Sequence, residues 1–212
     1  MEYTQIRNLR LYNGDNMEYM KDIPDNYYDL AVVDPPYRDS CDNQPTKDMR
    51  ANGNIDKFGD KPTKQYFDEL FRISKEQIIW GANNFELPPY MGFIVWKKKT
   101  IGETFTMSMA ELAYLSKGLG TTSKVFEYPP QRNSTNNWHP TSKPVKLYEW
   151  IYLNYAKHGD KILDTHLGSG SSAIAAYNVN MNLTFDGIEL DKEYFDSAVN
   201  RVREQTRQLS LF

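Results

Sequence analysis

The chain has 212 residues, enough for one domain with a proper apolar core and no need of covalent staples. Lys plus Arg number 25 and Asp plus Glu 28, a net charge of -3 that excludes a histone-like protein binding polyanions by bulk charge. The one cysteine, Cys41, excludes an intramolecular disulfide and a Cys-based zinc site, and no metal ligand set stands out. The opening Met1-Glu2-Tyr3-Thr4 has neither a basic region nor an apolar one, and the strongest apolar runs are of strand length, so a cytoplasmic location is expected. Aromatic residues are in excess at 29 of 212, which points to a ring-rich core or to a flat ligand.

In chain order, Leu9 to Tyr12 reads as a short strand, Asn13-Gly14-Asp15 as a turn, and Met17 to Lys21 as a helix ended before Pro24. Leu30 to Val33 is an unbroken apolar run, the pattern of a strand buried on both faces, and Asp34-Pro35-Pro36 stops it. A carboxylate is therefore expected at the C-terminal edge of a central strand. Residues 38 to 64 are polar and aperiodic, a loop long enough to be functional. Gln65 to Ile73 has helical spacing, and Gln77 to Trp80 is a strand ending at Gly81. Phe93 to Trp96 and Glu111 to Ser116 read as strands of a hairpin, with Val125 to Tyr128 extended.

Charge is concentrated in the middle of the chain. Residues 97 to 146 hold 8 basic and 3 acidic groups, among them Lys97, Lys98, Lys99, Lys117, Lys124, Arg132, Lys143 and Lys146, which makes this segment a candidate polyanion face. Ser142 and Pro144 supply an N-cap and an early proline for a helix carrying Val145, Tyr148, Ile151, Tyr152 and Tyr155, closed by His158-Gly159. Lys161 to Asp164 is a strand, Thr165 to Gly170 a glycine-bearing turn, Ser171 to Tyr177 a helix, and Leu183 to Leu190 a second strand. Tyr194 to Gln208 forms a closing amphipathic helix.

Two motifs carry chemistry. Gly168-Ser169-Gly170-Ser171-Ser172-Ala173 fits G-x-G-x-x-G/A between a strand and a helix, and Glu189 ends the next strand 19 residues after Gly170. Such glycines let the backbone approach a nucleoside while the acid takes the ribose hydroxyls. The second motif is Asp34-Pro35-Pro36-Tyr37 after a buried strand. An amine conjugated to a nucleobase is a poor nucleophile because its lone pair is delocalised. A fixed carboxylate and a fixed carbonyl, from Asp34 and Pro35, can accept hydrogen bonds from such an NH2 and aim its lone pair at an electrophile.

Asp34-Pro35-Pro36-Tyr37 resembles the signature of amino-methyltransferases. Together with His139-Pro140-Thr141-Ser142-Lys143-Pro144, the Leu11-Tyr12-Asn13-Gly14-Asp15 segment and the Asp164 to Gly170 turn, the resemblance is to the β-group DNA amino-methyltransferases and covers nearly the whole chain. It implies a Rossmann-like α/β sheet, mostly parallel and of the seven-strand type, circularly permuted so that the cofactor unit comes last. One domain would combine a catalytic strand and motif in 1–37, a DNA-contact loop in 38–64 and a cofactor half in 139–212. The implied cofactor is S-adenosylmethionine, with Asp15 near its adenine, His139, Thr141 and Lys143 around its methionine end, and Asp164, Gly168, Ser169, Gly170 and Glu189 in its cradle. Asp34, Pro35, Pro36 and Tyr37 would be the catalytic set, with Tyr37 stacking on a base flipped out of the duplex.

The resemblance departs at Thr165-His166, where the family has Pro-Phe; His166 can stack as Phe does, or titrate. It departs again before Lys143, since only Pro129 to Pro140 separate the last strand from that segment. DNA contacts are therefore expected from the 38–64 loop, through Arg38, Lys47, Arg50, Lys57, Lys61 and Lys64, and from Lys97, Lys98, Lys99 and Arg132. Gln208-Leu209-Ser210-Leu211-Phe212 resembles the pentapeptide that binds the bacterial sliding clamp. The expected activity is site-specific adenine-N6 methylation of DNA within restriction–modification, with cytosine-N4 methylation or a non-catalytic cofactor- and DNA-binding subunit as alternatives. A homodimer is carried as a partner reading, and an RNA substrate stays open.

Overall fold

The computed structural model describes residues 1–37, 61–104, 108–130 and 142–208. Among the described residues nine strands form one sheet: β1 (Tyr3–Ile6), β2 (Leu9–Asn13), β3 (Tyr28–Val33), β4 (Ser74–Trp80), β5 (Phe93–Lys97), β6 (Ala110–Leu115), β7 (Lys124–Glu127), β8 (Lys161–Asp164) and β9 (Thr184–Glu189). Their order across the sheet is β1-β2-β9-β8-β3-β4-β6-β5-β7. Only β1 and β6 run against the rest: β1 pairs antiparallel with β2, and β6 pairs antiparallel with both β4 and β5. The sheet is thus mostly parallel, as expected, with more strands than a seven-strand sheet has. The short edge strand β1, its Tyr3 and Thr4 largely outside the core, carried too weak a pattern to be read from sequence.

Both faces are covered. On one face Leu30, Val32, Ile78, Trp80 and Ile162 pack against α3 (Val145–Tyr155), α4 (Ser171–Asn178) and α5 (Lys192–Gln208). On the other, Ala31, Val33, Ile79 and Leu163 meet α1 (Asn16–Met20) and α2 (Lys64–Ile73). This double cover explains why β3 is apolar without alternation: Leu30 to Val33 are all at most 1% exposed. Lys64 belongs to the first turn of α2, where it pairs with Asp68 at 2.6 Å, so the loop before this helix stops short of the expected residue. Ser142 does not cap α3. Pro144 holds the cap position with no side-chain bond, and the Ser142 hydroxyl turns instead to Ser169, 2.8 Å away. Among the described residues no helix is long and apolar enough to cross a membrane.

The topology fixes where a ligand can sit. From β8 the chain passes through α4 to β9 on one side, whereas from β3 it passes to α2 and β4 on the other, and β8 and β3 are parallel neighbours. Connections that diverge from two adjacent parallel strands leave a crevice at their carboxyl ends, the usual place for a ligand in such sheets. Asp164 ends β8 and Asp34 follows β3, so both carboxylates stand at this crevice.

Candidate active site

The carboxyl edge of the sheet collects most of the site residues picked out above. Asp34 is held by two neighbours: its Oδ1 accepts the Tyr37 hydroxyl and its Oδ2 pairs with the Lys143 ammonium. Lys143 Nζ also lies 3.1 Å from the Tyr37 oxygen and 3.1 Å from Glu111 Oε2, while Lys98 Nζ holds Glu111 Oε1 at 2.6 Å. Two cations and two anions therefore alternate across the mouth of β3, β6 and the loop after β5. The ammonium of Lys143 further lies 5.3 Å from the centre of the Trp80 ring, and that of Lys98 lies 5.0 Å from Trp96, contacts that favour a desolvated cation.

Burial sets the charge states. It pushes the Asp34 carboxyl up, Lys143 opposes that rise and Glu111 adds to it. Burial would also raise Glu111, but Lys143 and Lys98 outweigh it and hold that carboxyl down at about 2. For Lys143 burial works to release the proton, and Asp34 and Glu111 override it, so the ammonium is held well above its ordinary range. Tyr37 stays a neutral phenol, raised first by burial and then by Asp34.

Gly81 makes room for this arrangement. It follows β4 with φ +73°, and a Cβ there would fall 2.2 Å from Tyr37 Cε1. The Tyr37 ring thus lies against glycine backbone, with Phe85 edge-on at 6.2 Å between centres.

The glycine turn lies beside it. Gly168 and Gly170 take left-handed conformations, φ 51° and 75°. The Gly168 N–H donates to Glu189 Oε2 at 2.9 Å, and Glu189 Oε1 accepts the Asp191 N–H at 3.0 Å. Asp164 is 2% exposed and accepts from Ser172 Oγ at 2.5 Å and from the His166 N–H at 3.0 Å. Burial raises its carboxyl to about 7 despite those bonds. Asp15 caps α1 through the Met17 and Glu18 N–H groups at 2.7 and 3.0 Å, and the neighbouring Gly14 N–H bonds the Glu189 carbonyl, which sets Asp15 and Glu189 on adjacent strand ends. Helix α5 braces the turn from behind: Arg201 donates to the Ser169 carbonyl at 2.7 Å and to Ser171 Oγ at 3.0 Å.

His166 settles one open alternative. Asn16 Nδ2 points at its Nε2 from 3.3 Å, Thr165 Oγ1 lies 3.0 Å from Nδ1, and the Tyr66 ring meets it edge-on at 5.4 Å. The Asn16 amide nitrogen can only donate, so the imidazole proton belongs on Nδ1. Burial lowers the imidazole to about 4, so it is neutral at physiological pH and serves as a ring.

One expectation changes in this setting. Lys98 is not a DNA-facing residue: its side chain is 9% exposed and committed to Glu111, the environment of an internal ion pair. Lys143 contacts Asp34, Tyr37 and Glu111, while its neighbour Ser142 touches the glycine turn, so this dipeptide links the two parts of the site. Lys97 and Lys99 are exposed and share Glu127, at 3.1 and 3.7 Å. His139, Thr141, Arg38, Lys47, Arg50 and Arg132 lie outside the described residues, as do Leu209 to Phe212 of the clamp-like pentapeptide and the side chain of Gln208. Sequence reading missed Glu111, Gly81 and Arg201. A glutamate within the otherwise apolar run Ala110 to Leu115 was the one signal available for Glu111.

Comparisons with known proteins agree with this fold. The family model for N6/N4 methyltransferases, described as DNA methylase, matches residues 79–200. The type II methyltransferase M.BglII of Bacillus subtilis is 26% identical over 244 residues, covering 89% of this chain and 67% of that protein. The type II methyltransferase M2.MboI of Moraxella bovis is 24% identical, covering 94% and 89%. Among solved structures, the M1.HpyAVI–SAM complex is similar with TM-score 0.60 and 20% identity, over 92% of this chain and 98% of that one. The cytosine-N4-specific PvuII DNA methyltransferase is similar with TM-score 0.61 and 11% identity, over 98% and 96%. The chain belongs to the N6/N4 DNA methylase family, enzymes that take their methyl group from S-adenosylmethionine.

Proposed function

We propose that the chain methylates the exocyclic N6 of adenine at specific sites in DNA, on a base swung out of the duplex. The observation that carries this reading is the position of Asp34, at the carboxyl end of β3 beside the glycine turn that follows β8. S-adenosylmethionine supplies the electrophilic methyl group when bound. The residues present suit it: the carboxylates of Glu189 and Asp15 on adjacent strand ends can receive hydroxyl or amino donors, and a backbone without Cβ at Gly168 permits close approach. His139 and Thr141 belong to the same cofactor reading by resemblance.

The chain's own chemistry is orientation. The Asp34 carboxylate and the Pro35 carbonyl accept the two N–H bonds of the amine, drawing the nitrogen toward a tetrahedral shape and turning its lone pair outward. Pro36 stiffens the backbone, and Tyr37, fixed by Gly81, offers its ring to the base. An interior Asp34 binds an amine more strongly than a solvated one would.

The cofactor unit β8-α4-β9 follows the catalytic strand in the chain, which supports the permuted reading. The single Cys41 favours a reducing cytoplasm. Cytosine-N4 transfer is the second reading, favoured by the fold likeness to a cytosine-N4 enzyme; Asp rather than Ser ahead of Pro35-Pro36-Tyr37 favours adenine. The test is mass spectrometry of nucleosides from unmodified DNA incubated with S-adenosylmethionine. N6-methyladenine that disappears with Asp34→Ala is the expected result. N4-methylcytosine would replace this reading with the second, and a wild-type chain that modifies no base in DNA or RNA would leave the binding-subunit alternative.

A further inference from the structure

Lys143 has two carboxylate partners, Asp34 and Glu111, and Glu111 has two lysine partners, Lys143 and Lys98. Asp34 belongs to the motif read as the amine acceptor and Lys143 to the segment that resembles a cofactor-binding one, whereas Glu111 has no task assigned to it by any motif. The Lys143 side chain is 4% exposed, so an unpartnered ammonium there would be strongly unfavourable. Asp34, however, must present acceptor lone pairs to a substrate amine, and in this arrangement Tyr37 and Lys143 engage one oxygen each. The geometry supplies an alternative anchor: Glu111 Oε2 stands 3.1 Å from the same ammonium, and Lys98 fixes the other oxygen of Glu111.

We propose that Glu111, backed by Lys98, is a positioning residue: it holds the Lys143 ammonium beside Asp34, so that Asp34 can turn a lone pair to the substrate amine without stranding a cation in the interior. Glu111 acts through Lys143 and need not touch the substrate. The inference rests on Asp34 being the acceptor of the amine. The groups facing Asp34 are Lys143 ahead of α3, Tyr148 on α3, Tyr37 in its own loop, Glu111 on β6, Lys98 behind it and Asp164 on β8. Of these, Glu111 and Lys98 are the pair whose removal changes the charge around Asp34 in opposite senses without touching the catalytic motif.

The test uses three variants of the full chain, with three readouts. The Asp34 carboxyl is titrated by 13C NMR in the wild type, Glu111→Gln, Glu111→Asp and Lys98→Met, and single-turnover methylation is followed against pH, with S-adenosylmethionine affinity measured by calorimetry. Glu111→Gln removes a like charge, so the Asp34 midpoint and the acid limb of the rate profile should move to lower pH. Lys98→Met removes a cation and should move both to higher pH. Glu111→Asp should stay near the wild type. The rate with Glu111→Gln should fall about tenfold to a hundredfold through poorer orientation, with cofactor affinity unchanged. Shifts of opposite sign support the relay. Midpoints that do not move, or that move together, overturn it, as does a wild-type rate in Glu111→Gln. A wild type whose Asp34 titrates as described but which transfers no methyl group to DNA would instead remove the amine-acceptor reading on which the proposal depends.

Discussion

A single missing Cβ decides whether Tyr37 can occupy its place. Gly81 has φ +73°, and a side chain there would meet the Tyr37 ring at 2.2 Å. Gly81→Ala should cost about 1–2 kcal/mol of stability from the left-handed backbone alone. It should also depress methylation by displacing Tyr37 while S-adenosylmethionine still binds; denaturant melts, kinetics and calorimetry separate the three. A fully active variant would show that the ring's position does not matter. His166 and Asp164 permit a second experiment because their responses to pH have opposite signs. The folded imidazole titrates near 4 against an ordinary 6.5, so as pH falls below about 6.5 the unfolded chain takes up a proton that the folded one refuses, and stability is lost. The folded Asp164 carboxyl titrates near 7 against 3.8, so the folded chain takes its proton first and stability is gained as pH falls from 7 toward 3.8. Relative to the wild type, His166→Phe should therefore gain stability between pH 6.5 and 5, and Asp164→Asn should lose it. Urea melts at those two pH values read the differences directly, and equal changes in both variants would refute the assignment.

At the scale of elements, α5 does more than close the fold. Arg201 reaches from it to the Ser169 carbonyl and the Ser171 hydroxyl, and a Cβ at Gly170 would come within 2.9 Å of Val202. The glycine turn is thus shaped by a helix that begins more than twenty residues later. Arg201→Ala removes two charge-assisted bonds, an effect of about 1.5–3 kcal/mol each at most, so S-adenosylmethionine affinity should weaken about tenfold while the unliganded fold persists. Calorimetry checks this, and unchanged affinity would mean that the turn keeps its shape without help. None of this brace was legible in the sequence, because Arg201 sits on an amphipathic helix where an arginine reads as solvated surface. By contrast β3, β8 and the turn after β8 were legible: an unbroken apolar run ending in Asp34, and glycines following Asp164, have few physical alternatives. The hairpin of β5 and β6 was legible from its two apolar runs, and its register pairs Trp96 with Glu111. What that register does, carrying Glu111 to the same edge as Asp34, depends on pairings far apart in the chain and could not be read locally. Lys98 shows the reverse error, for three consecutive lysines look alike in sequence although their side chains range from 9% to 60% exposed.

For the whole molecule the question is where DNA is held. The net charge is -3, and part of the central positive charge is spent inside the protein: Lys98 and Lys143 neutralise Glu111 and Asp34. Lys97 and Lys99 pair with Glu127 at the surface, where such pairs contribute little and can be exchanged for a phosphate. Beyond these, Arg38, Lys47, Arg50 and Lys57 fall in the polar stretch of sequence between Tyr37 and α2. Each phosphate that a variant no longer neutralises lowers the slope of log affinity against log salt by about 0.9 for duplex DNA. Removing residues 42–60, with their three basic residues Lys47, Arg50 and Lys57, should therefore reduce that slope by about 2–3, abolish methylation and leave S-adenosylmethionine binding intact. Lys97→Ala with Lys99→Ala should reduce it by up to about 2, and Lys98→Met should leave it unchanged because that ammonium faces Glu111. Fluorescence anisotropy with a labelled duplex, from 50 to 200 mM salt in steps of about 50 mM, measures all three slopes. A deletion that keeps the wild-type slope would move the DNA contacts out of this stretch, and a Lys98→Met variant with a lowered slope would return Lys98 to the DNA face.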